Sequence, residues 1–487
     1  MPVDPPPVSQ SCEAVGAEEP LRLMAEQAFS RAAGAPLIPG NSVRLLRNAE
    51  QNYPAWMDAL HSATSSIHFE SYMIANDGVG RRFLELLTAK ARAGVRVRLL
   101  YDWVGTSTLS THRLRRSLEE AGGEVRCFNP PRLDSPLGWL SRDHRKMIVV
   151  DGQVGFVTGL CVSSKWEGEP RRGIEPWRDT GVEIRGPAVA DICRAFAEVW
   201  AAAGGRVPEE EIPALDSIPL AGEIALRVIA TAPNTAGLYR LDQLIATLAR
   251  ETLWLTDAYF VGMAPYLQAL RAAAEDGVDV RLLVPGASDI PALKPLTRAG
   301  YRPLLEAGIR VFEWNGPMLH AKSAVADGHW ARVGSTNLNI ASWIGNYELD
   351  VAIEDEGFAE AMETMYQEDL SNSTEIVLTT GRKVRPEGKR KSGSLWTGRR
   401  RGGSSTRAAA GALRLANSIG AAMTNRRVLG ATEARIMSFT GIVLLLLALI
   451  CWSWPWLVSF PLAGILIWIS LTLFVRSWRL RKERRKS

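Results

Sequence analysis

Cysteine and histidine are scarce in this chain, with 5 Cys and 6 His among 487 residues. The cysteines, Cys12, Cys127, Cys161, Cys193 and Cys451, are odd in number, scattered and without a CxxC pair. That pattern argues against a disulfide framework or a zinc site and favours a reducing compartment. Carboxylates, His and Cys nowhere gather at ligand spacing, so the sequence implies no metal and no cofactor. A basic region followed by an apolar run is missing from the N-terminus, which does not read as a secretory signal. Its prolines instead predict a disordered tail to about residue 20. Residues 1–34 as a whole read as a disordered or helical extension.

Charge is absent over one long stretch. From Met437 to Val475, 39 residues, there is no Asp, Glu, Lys or Arg. A single membrane span needs about 20 apolar residues, so this run is long enough for two. Ser453, Pro455 and Pro461 sit near its middle among Trp452, Trp454 and Trp456. Prolines break helices and tryptophans favour the bilayer interface, so the expectation is a transmembrane hairpin. Its spans are about 437–453 and 457–475, joined by a tight turn. A hairpin buried in a soluble core would rarely run so long without a charge. Basic residues flank both ends: Arg426, Arg427 and Arg435 before it, and seven Lys or Arg within 476–487 after it. The positive-inside rule then puts both ends, the tail 476–487 and the large N-terminal part on the cytoplasmic side.

The net charge of +5 is modest for this length; its distribution is more informative. Residues 382–407 carry ten Lys or Arg against the single Glu387, with Gly and Ser between the clusters. Such segments gain about 1 kcal/mol per basic residue near an anionic leaflet. The region 376–436 reads as a basic linker, with a weak amphipathic signal at 408–429 from Leu415, Ile419, Ala422 and Met423. No nucleic-acid partner is needed to account for it.

The middle of the chain is a duplicated unit. Residues 66–102 and 251–284 each run through a β-branched or aromatic strand, a helical pattern and an apolar strand entered by Gly-Val. The helical apolar positions are Phe83, Leu86, Leu87 and Ala91 in one, and Tyr266, Leu267, Leu270 and Ala274 in the other. Strand–helix–strand repeated twice predicts an α/β layer fold, with repeats at 35–212 and 213–375.

The repeat carries a second, chemical repeat. His144-Arg145-Lys146 leads to Asp151-Gly152, and His320-Ala321-Lys322 leads to Asp327-Gly328, so HxKxxxxD followed by Gly occurs twice. Side chains two apart on a strand share a face, so each His lies beside its Lys, and the Asp-Gly turns the chain. Lysine neutralises phosphodiester oxygens as a compact cation. Histidine attacks phosphorus or carries a proton near neutral pH. Two such pairs in equivalent places can meet across a pseudo-two-fold axis around one phosphate. One His then attacks, the other protonates the leaving alkoxide, and the roles exchange in the second step. His61, His68, His112 and His329 have no such partner and read as surface or core residues.

Past Asp327 come Gly334-Ser335-Thr336-Asn337, whose Ser335 and Asn337 can hydrogen-bond phosphate oxygens or hold the lysines. With these residues the pattern resembles the phospholipase D superfamily over about residues 35–370. Leu37-Ile38-Pro39-Gly40-Asn41, Glu70-Ser71-Tyr72, Asp77-Gly78-Val79-Gly80, Arg178-Asp179, Gly186-Pro187-Ala188-Val189 and Asn346-Tyr347-Glu348 are similar to its bacterial cardiolipin synthase branch. The resemblance implies two pseudo-symmetric phospholipase D-like α/β/α sandwich halves, here followed by the C-terminal transmembrane helical hairpin. It implies a phosphatidyltransferase of the bacterial cytoplasmic membrane acting on anionic phospholipid, with phosphatidylglycerol as donor and acceptor. A hydrolase releasing phosphatidic acid is the alternative, and a phosphodiesterase or nuclease a more distant one. A degenerate lipid-binding scaffold is disfavoured because both HxK pairs are intact.

The catalytic set implied is His144, Lys146, Asp151, His320, Lys322 and Asp327. By the family's habit His144 forms the phosphohistidine and His320 is the general acid, while Asp151 and Asp327 act in their turns as supports. An acid opens the strand after each motif, Asp179 in one and Glu348 in the other. The family places its orienting acids here, so Asp179 is assigned to His144 and Glu348 to His320, each to fix its ring tautomer. One departure stands out. The first half has Thr158-Gly159-Leu160-Cys161 where the second has Gly334-Ser335-Thr336-Asn337, so Gly159 replaces Ser and Cys161 replaces Asn. This removes a donor near the phosphate, and a reactive thiol at Cys161 is a remote alternative.

Overall fold

The computed structural model describes residues 26–106, 111–131, 141–290, 293–378 and 384–386, with scattered positions between 442 and 470. The expectations for residues 1–25, the linker at 387–436, most of the 437–475 hairpin and the tail 476–487 lie outside the described residues. Among the described residues no helix is long and apolar enough to cross a membrane. The described positions from Ile442 to Ser470 are helical, Trp456 of the expected turn among them.

The first half comprises β1 (Ile38–Arg47), α1 (Asn48–Ser62), β2 (Ser66–Ser71), α2 (Gly78–Arg92), β3 (Arg96–Asp102), α3 (Thr111–Glu120), β4 (Glu124–Phe128), β5 (Lys146–Val150), β6 (Val154–Thr158), α4 (Ser164–Glu167), β7 (Thr180–Arg185) and α5 (Val189–Ala202). The second comprises β8 (Ile224–Thr231), α6 (Gly237–Leu248), β9 (Thr252–Thr256), α7 (Ala264–Glu275), β10 (Asp279–Pro285), α8 (Leu293–Ala299), α9 (Tyr301–Glu306), β11 (Arg310–Trp314), β12 (Ser323–Ala326), β13 (Trp330–Gly334), β14 (Glu348–Glu354) and α10 (Glu356–Ser371). β15 (Ser373–Leu378) and β16 (Val384–Pro386) follow.

The two strand–helix–strand units form as their apolar spacing directs. Phe83, Leu86, Leu87 and Ala91 are all buried on α2. On α7 the buried set is Tyr266, Leu267, Leu270 and Ala273, the last in place of the expected Ala274. Each helix returns the chain to a parallel neighbour, β3 beside β2 and β10 beside β9, as a helical crossover must.

The sixteen strands among the described residues lie in one mixed sheet. From one side the order is β4-β3-β2-β5-β6-β7-β1, and toward the other it is β11-β10-β9-β12-β13-β14-β8. The two series are the same order in the two halves, and they meet at the antiparallel β1–β8 pair. The duplication read in the sequence is therefore a pseudo-two-fold sheet.

One core lies between the halves, where α5 and α10 pack on strands of both repeats through Phe196, Trp200, Phe358 and Met362. A second covers the other face of the first half with α1 and α2, through Trp56, Leu60, Phe83 and Leu87. Each fully buried large apolar side chain here contributes roughly 1.5–3 kcal/mol. The first half of the sheet is thus held from both faces.

Candidate active site

The ladder starts later than the alternation implies. β5 begins at Lys146 and β12 at Ser323, so both histidines precede their strands. Their backbones pair instead with the opposite half. Asp143 bridges Tyr347, and Arg178 bridges Leu319. His144 N–H donates to the Tyr347 carbonyl at 2.9 Å, and His320 N–H to the Arg178 carbonyl at 2.7 Å. The segment entering each HxK motif thus lies against the segment entering the other half's acid-bearing strand.

This crossing corrects the assignment of the orienting acids. His144 Nδ1 lies 2.8 Å from Glu348 Oε2, and His320 Nδ1 lies 2.7 Å from Asp179 Oδ2. Each histidine is served by the acid of the opposite repeat, the reverse of the pairing expected from sequence order. The equivalence of Asp179 and Glu348 holds; their partners exchange because the bridges run between halves. A carboxylate only accepts, so each Nδ1 carries the proton and each Nε2 lone pair is left free.

The lysines complete the pairs. Lys146 Nζ donates to the His144 carbonyl and Lys322 Nζ to the His320 carbonyl. Lys322 Nζ also lies 3.0 Å from His320 Nδ1. Because that nitrogen is committed to Asp179, the approach is electrostatic. Tyr72 stands edge-on to the His144 ring at 5.1 Å, with Lys146 over its face. Tyr259 holds the matching place by His320 at 5.8 Å, with Lys322 over its face.

The electrostatics follow from burial and from the facing charges. Burial, with Lys322, holds the His320 imidazole down at about 3 despite Asp179. Burial also lowers His144, assisted by Lys146 and opposed by Glu348. Lys322 lowers His144 and Lys146 lowers His320, so each histidine lies within the field of the other half's cation. Lys322 is brought down to about 8 by burial and by Lys146, against the pull of Asp179. Burial would raise Asp179 and Glu348, yet both lie below the usual carboxylate range because the histidine, a lysine and a neutral donor face each of them.

Asp151 and Asp327 are away from this centre, at the far ends of β5 and β12. They lie in the turns, where the sequence places them as supports, and not beside the His–Lys pairs. Asp151 accepts from the backbone N–H groups of Thr64, Ser65 and Ser66, and Asp327 from those of Arg250, Glu251 and Thr252. Both have positive φ, 53° and 49°, a conformation that Asp tolerates in turns. Each clasps the entry to the strand beside its own, β2 or β9.

Ser335 donates to Glu348 Oε2 at 2.6 Å and accepts from Leu349 N–H at 2.9 Å. Its hydroxyl is occupied in bracing the acid. Asn337 is buried, with its amide nitrogen 3.5 Å from Ser342 Oγ. Cys161 is buried, and burial pushes its thiol above the ordinary range, which disfavours the thiolate a nucleophile needs. Its carbonyl accepts from Tyr53 OH.

Several residues carry roles that the motifs did not assign. Arg145, between His144 and Lys146, is fully buried and donates to the Glu348, Ala195 and Thr231 carbonyls and to Glu198. Arg178 makes a two-pronged contact with Asp369 and donates to the Asp179 carbonyl. Trp166 Nε1–H donates to Asp179 Oδ2 at 2.8 Å. The signal for Trp166 was indirect: the missing serine at 159 leaves Asp179 in need of another donor.

Two His–Lys pairs on a pseudo-two-fold sheet, each with an acid on Nδ1, define the class, and comparison with known proteins agrees. Residues 56–200 and 243–370 match the family described as "Cardiolipin synthase, PLD-like domain". The chain belongs to this family, within the phospholipase D superfamily. Among its relatives, "Cardiolipin synthase A" of Pseudomonas aeruginosa (strain LESB58) is 34% identical over 380 residues, covering 77% of this chain and 76% of that protein. "Cardiolipin synthase" of Halalkalibacterium halodurans is 32% identical over 355 residues, covering 71% and 69%. The fold is similar to the crystal structure of phosphatidylserine synthase from Haemophilus influenzae Rd KW20. That likeness has a TM-score of 0.57 at 13% identity over 72% of this chain and 91% of that one.

Proposed function

We propose that this protein moves a phosphatidyl group between phosphatidylglycerol molecules through a phosphohistidine, as a cardiolipin synthase. The observation that carries the reading is the crossing of the two halves, which sets the His–Lys pair of each repeat on the acid of the other. His144 Nε2 attacks the donor phosphorus; the N–P bond forms as the P–O bond to glycerol breaks. His320 enters this step as an imidazolium, protonated on Nε2 once the anionic donor phosphate faces it and held by Asp179 on Nδ1, and gives the Nε2 proton to the leaving glycerol oxygen. A second phosphatidylglycerol then returns a proton to His320 as its hydroxyl oxygen bonds phosphorus and the N–P bond breaks. Lys146 and Lys322 offset charge on the phosphoryl oxygens. Glu348 and Asp179 hold the rings and stabilise each imidazolium as it forms.

The reverse order of the histidines has one observation in its favour. His320, held at about 3, strongly prefers the neutral form that a nucleophile needs. Acid quench during turnover, followed by peptide mapping, assigns the phosphoryl group to His144 or His320.

Residues 437–475 anchor the chain as a membrane hairpin in this reading, with the catalytic part on the cytoplasmic side. The uncharged run supports it, as do the exposed apolar side chains at helical positions Ile442, Leu445, Leu449, Trp456, Phe460 and Ile467. The test is the full chain in phosphatidylglycerol vesicles, where cardiolipin and glycerol should appear in equal amounts. Phosphatidic acid alone would identify a hydrolase, and cleavage of DNA without action on lipid would identify a nuclease.

A further inference from the structure

We infer that Trp166 is a positioning residue, its indole N–H holding Asp179, and through it His320, where the second half uses the Ser335 hydroxyl. The inference rests on the catalytic role proposed above for His320.

The two acids are dressed alike by different means. Glu348 Oε2 receives two donors, Ser335 Oγ at 2.6 Å and His144 Nδ1 at 2.8 Å. Asp179 Oδ2 also receives two, Trp166 Nε1 at 2.8 Å and His320 Nδ1 at 2.7 Å. In both halves one neutral donor and one imidazole share a single carboxylate oxygen.

The first half cannot use serine for this. Position 159 is the counterpart of Ser335, and a Cβ there would lie 2.2 Å from Asp179 Oδ1. Asp is one methylene shorter than Glu, and its carboxylate rests against the backbone where a serine side chain would start. Glycine at 159 is therefore a steric requirement of the acid at 179, and the lost donor has to come from elsewhere.

Trp166 is placed to supply it. It lies in the short helix Ser164–Glu167, whose preceding residue Ser163 accepts from Lys165 N–H. Asp77 ties that turn to the first half by accepting from the Ser163 hydroxyl and from Ser164 N–H. The indole is only 2% exposed and meets the His320 ring edge-on at 5.3 Å and 89°. Its buried place makes it a support for His320 and not a contact for lipid.

Trp166→Phe removes the donor. Should that variant fail to fold, β-(3-benzothienyl)alanine incorporated at 166 keeps the bicyclic shape and still lacks the N–H. The expected result with phosphatidylglycerol vesicles is a fall in kcat of about 10- to 100-fold, the usual worth of a hydrogen bond to a charged group. KM should stay within about twofold, because binding and chemistry are separable in this way. The acid limb of the kcat profile should move to higher pH, because Asp179 protonates sooner without its donor. In 15N-histidine spectra the His320 Nδ1–H signal should shift while that of His144 stays. Wild-type kcat with an unmoved acid limb in the benzothienyl protein overturns the inference. If the unaltered chain forms no cardiolipin, the proposed function fails. The spectra then decide the inference alone, an unshifted His320 signal overturning it.

Discussion

Glu348→Gln is the sharpest probe of the crossed pairing. The substitution preserves shape and can keep an oxygen facing both His144 Nδ1 and the Ser335 hydroxyl, since Asn346, which donates to the other carboxylate oxygen, is only partly buried and can turn away. What it removes is the charge. A unit charge 2.8 Å from the ring nitrogen is worth up to about 6 kcal/mol toward an imidazolium at an effective dielectric of about 20. That corresponds to a loss in kcat of up to about 10⁴-fold, similar to the loss when a triad acid is made neutral. The expected outcome is a drop of about 10³- to 10⁴-fold in cardiolipin formation, with thermal stability nearly unchanged. The histidine spectrum should change at His144 and not at His320, and Asp179→Asn should do the reverse. A Glu348→Gln protein that perturbs His320, or loses less than tenfold, would refute the crossed geometry.

Three other outcomes follow from the structure. Lys322, lowered to about 8, sheds its charge as pH rises past that value, so kcat/KM for phosphatidylglycerol should fall above about pH 8. Lys322→Arg should remove this limb, even if its overall rate is lower. Asp151 is depressed from 3.8 to about 2 by burial-opposed hydrogen bonds from Ser66, Ser65 and Thr64. Its stabilisation is thus present above about pH 4 and is lost as pH falls toward 2. Urea midpoints across that range should lose part of their pH dependence in Asp151→Asn. Arg178→Ala leaves the carboxylate of Asp369 buried without its partner and should cost about 3–5 kcal/mol in chemical denaturation.

Much of the fold was legible because it is written twice. The Gly-Val entry to β3 and β10, and the apolar stripe on α2, fix strand–helix–strand units by short-range rules alone. The HxK pairs were legible because their chemistry is dense in a small motif. The partner of each acid was not, since Asp179 and Glu348 are equivalent in sequence and nothing local says which histidine each meets. That choice is made by two backbone bridges, Asp143–Tyr347 and Arg178–Leu319, between segments far apart in the chain. Trp166 escaped for a related reason. It belongs to no repeated motif, and its role is visible only where Gly159 lets Asp179 close on the backbone. Asp151 and Asp327 were legible as turn residues, because the glycine after each marks where the strand ends.

The exchange of carboxylates across the dyad has a genetic consequence. A fragment holding only one repeat would contain a histidine without its acid and an acid without its histidine. Severed repeats could regain turnover only by finding each other, so mixing a chain mutated at Glu348 with one mutated at Asp179 should restore nothing unless halves trade places between molecules. Once fused in this way, the two copies can no longer be inherited as independent enzymes.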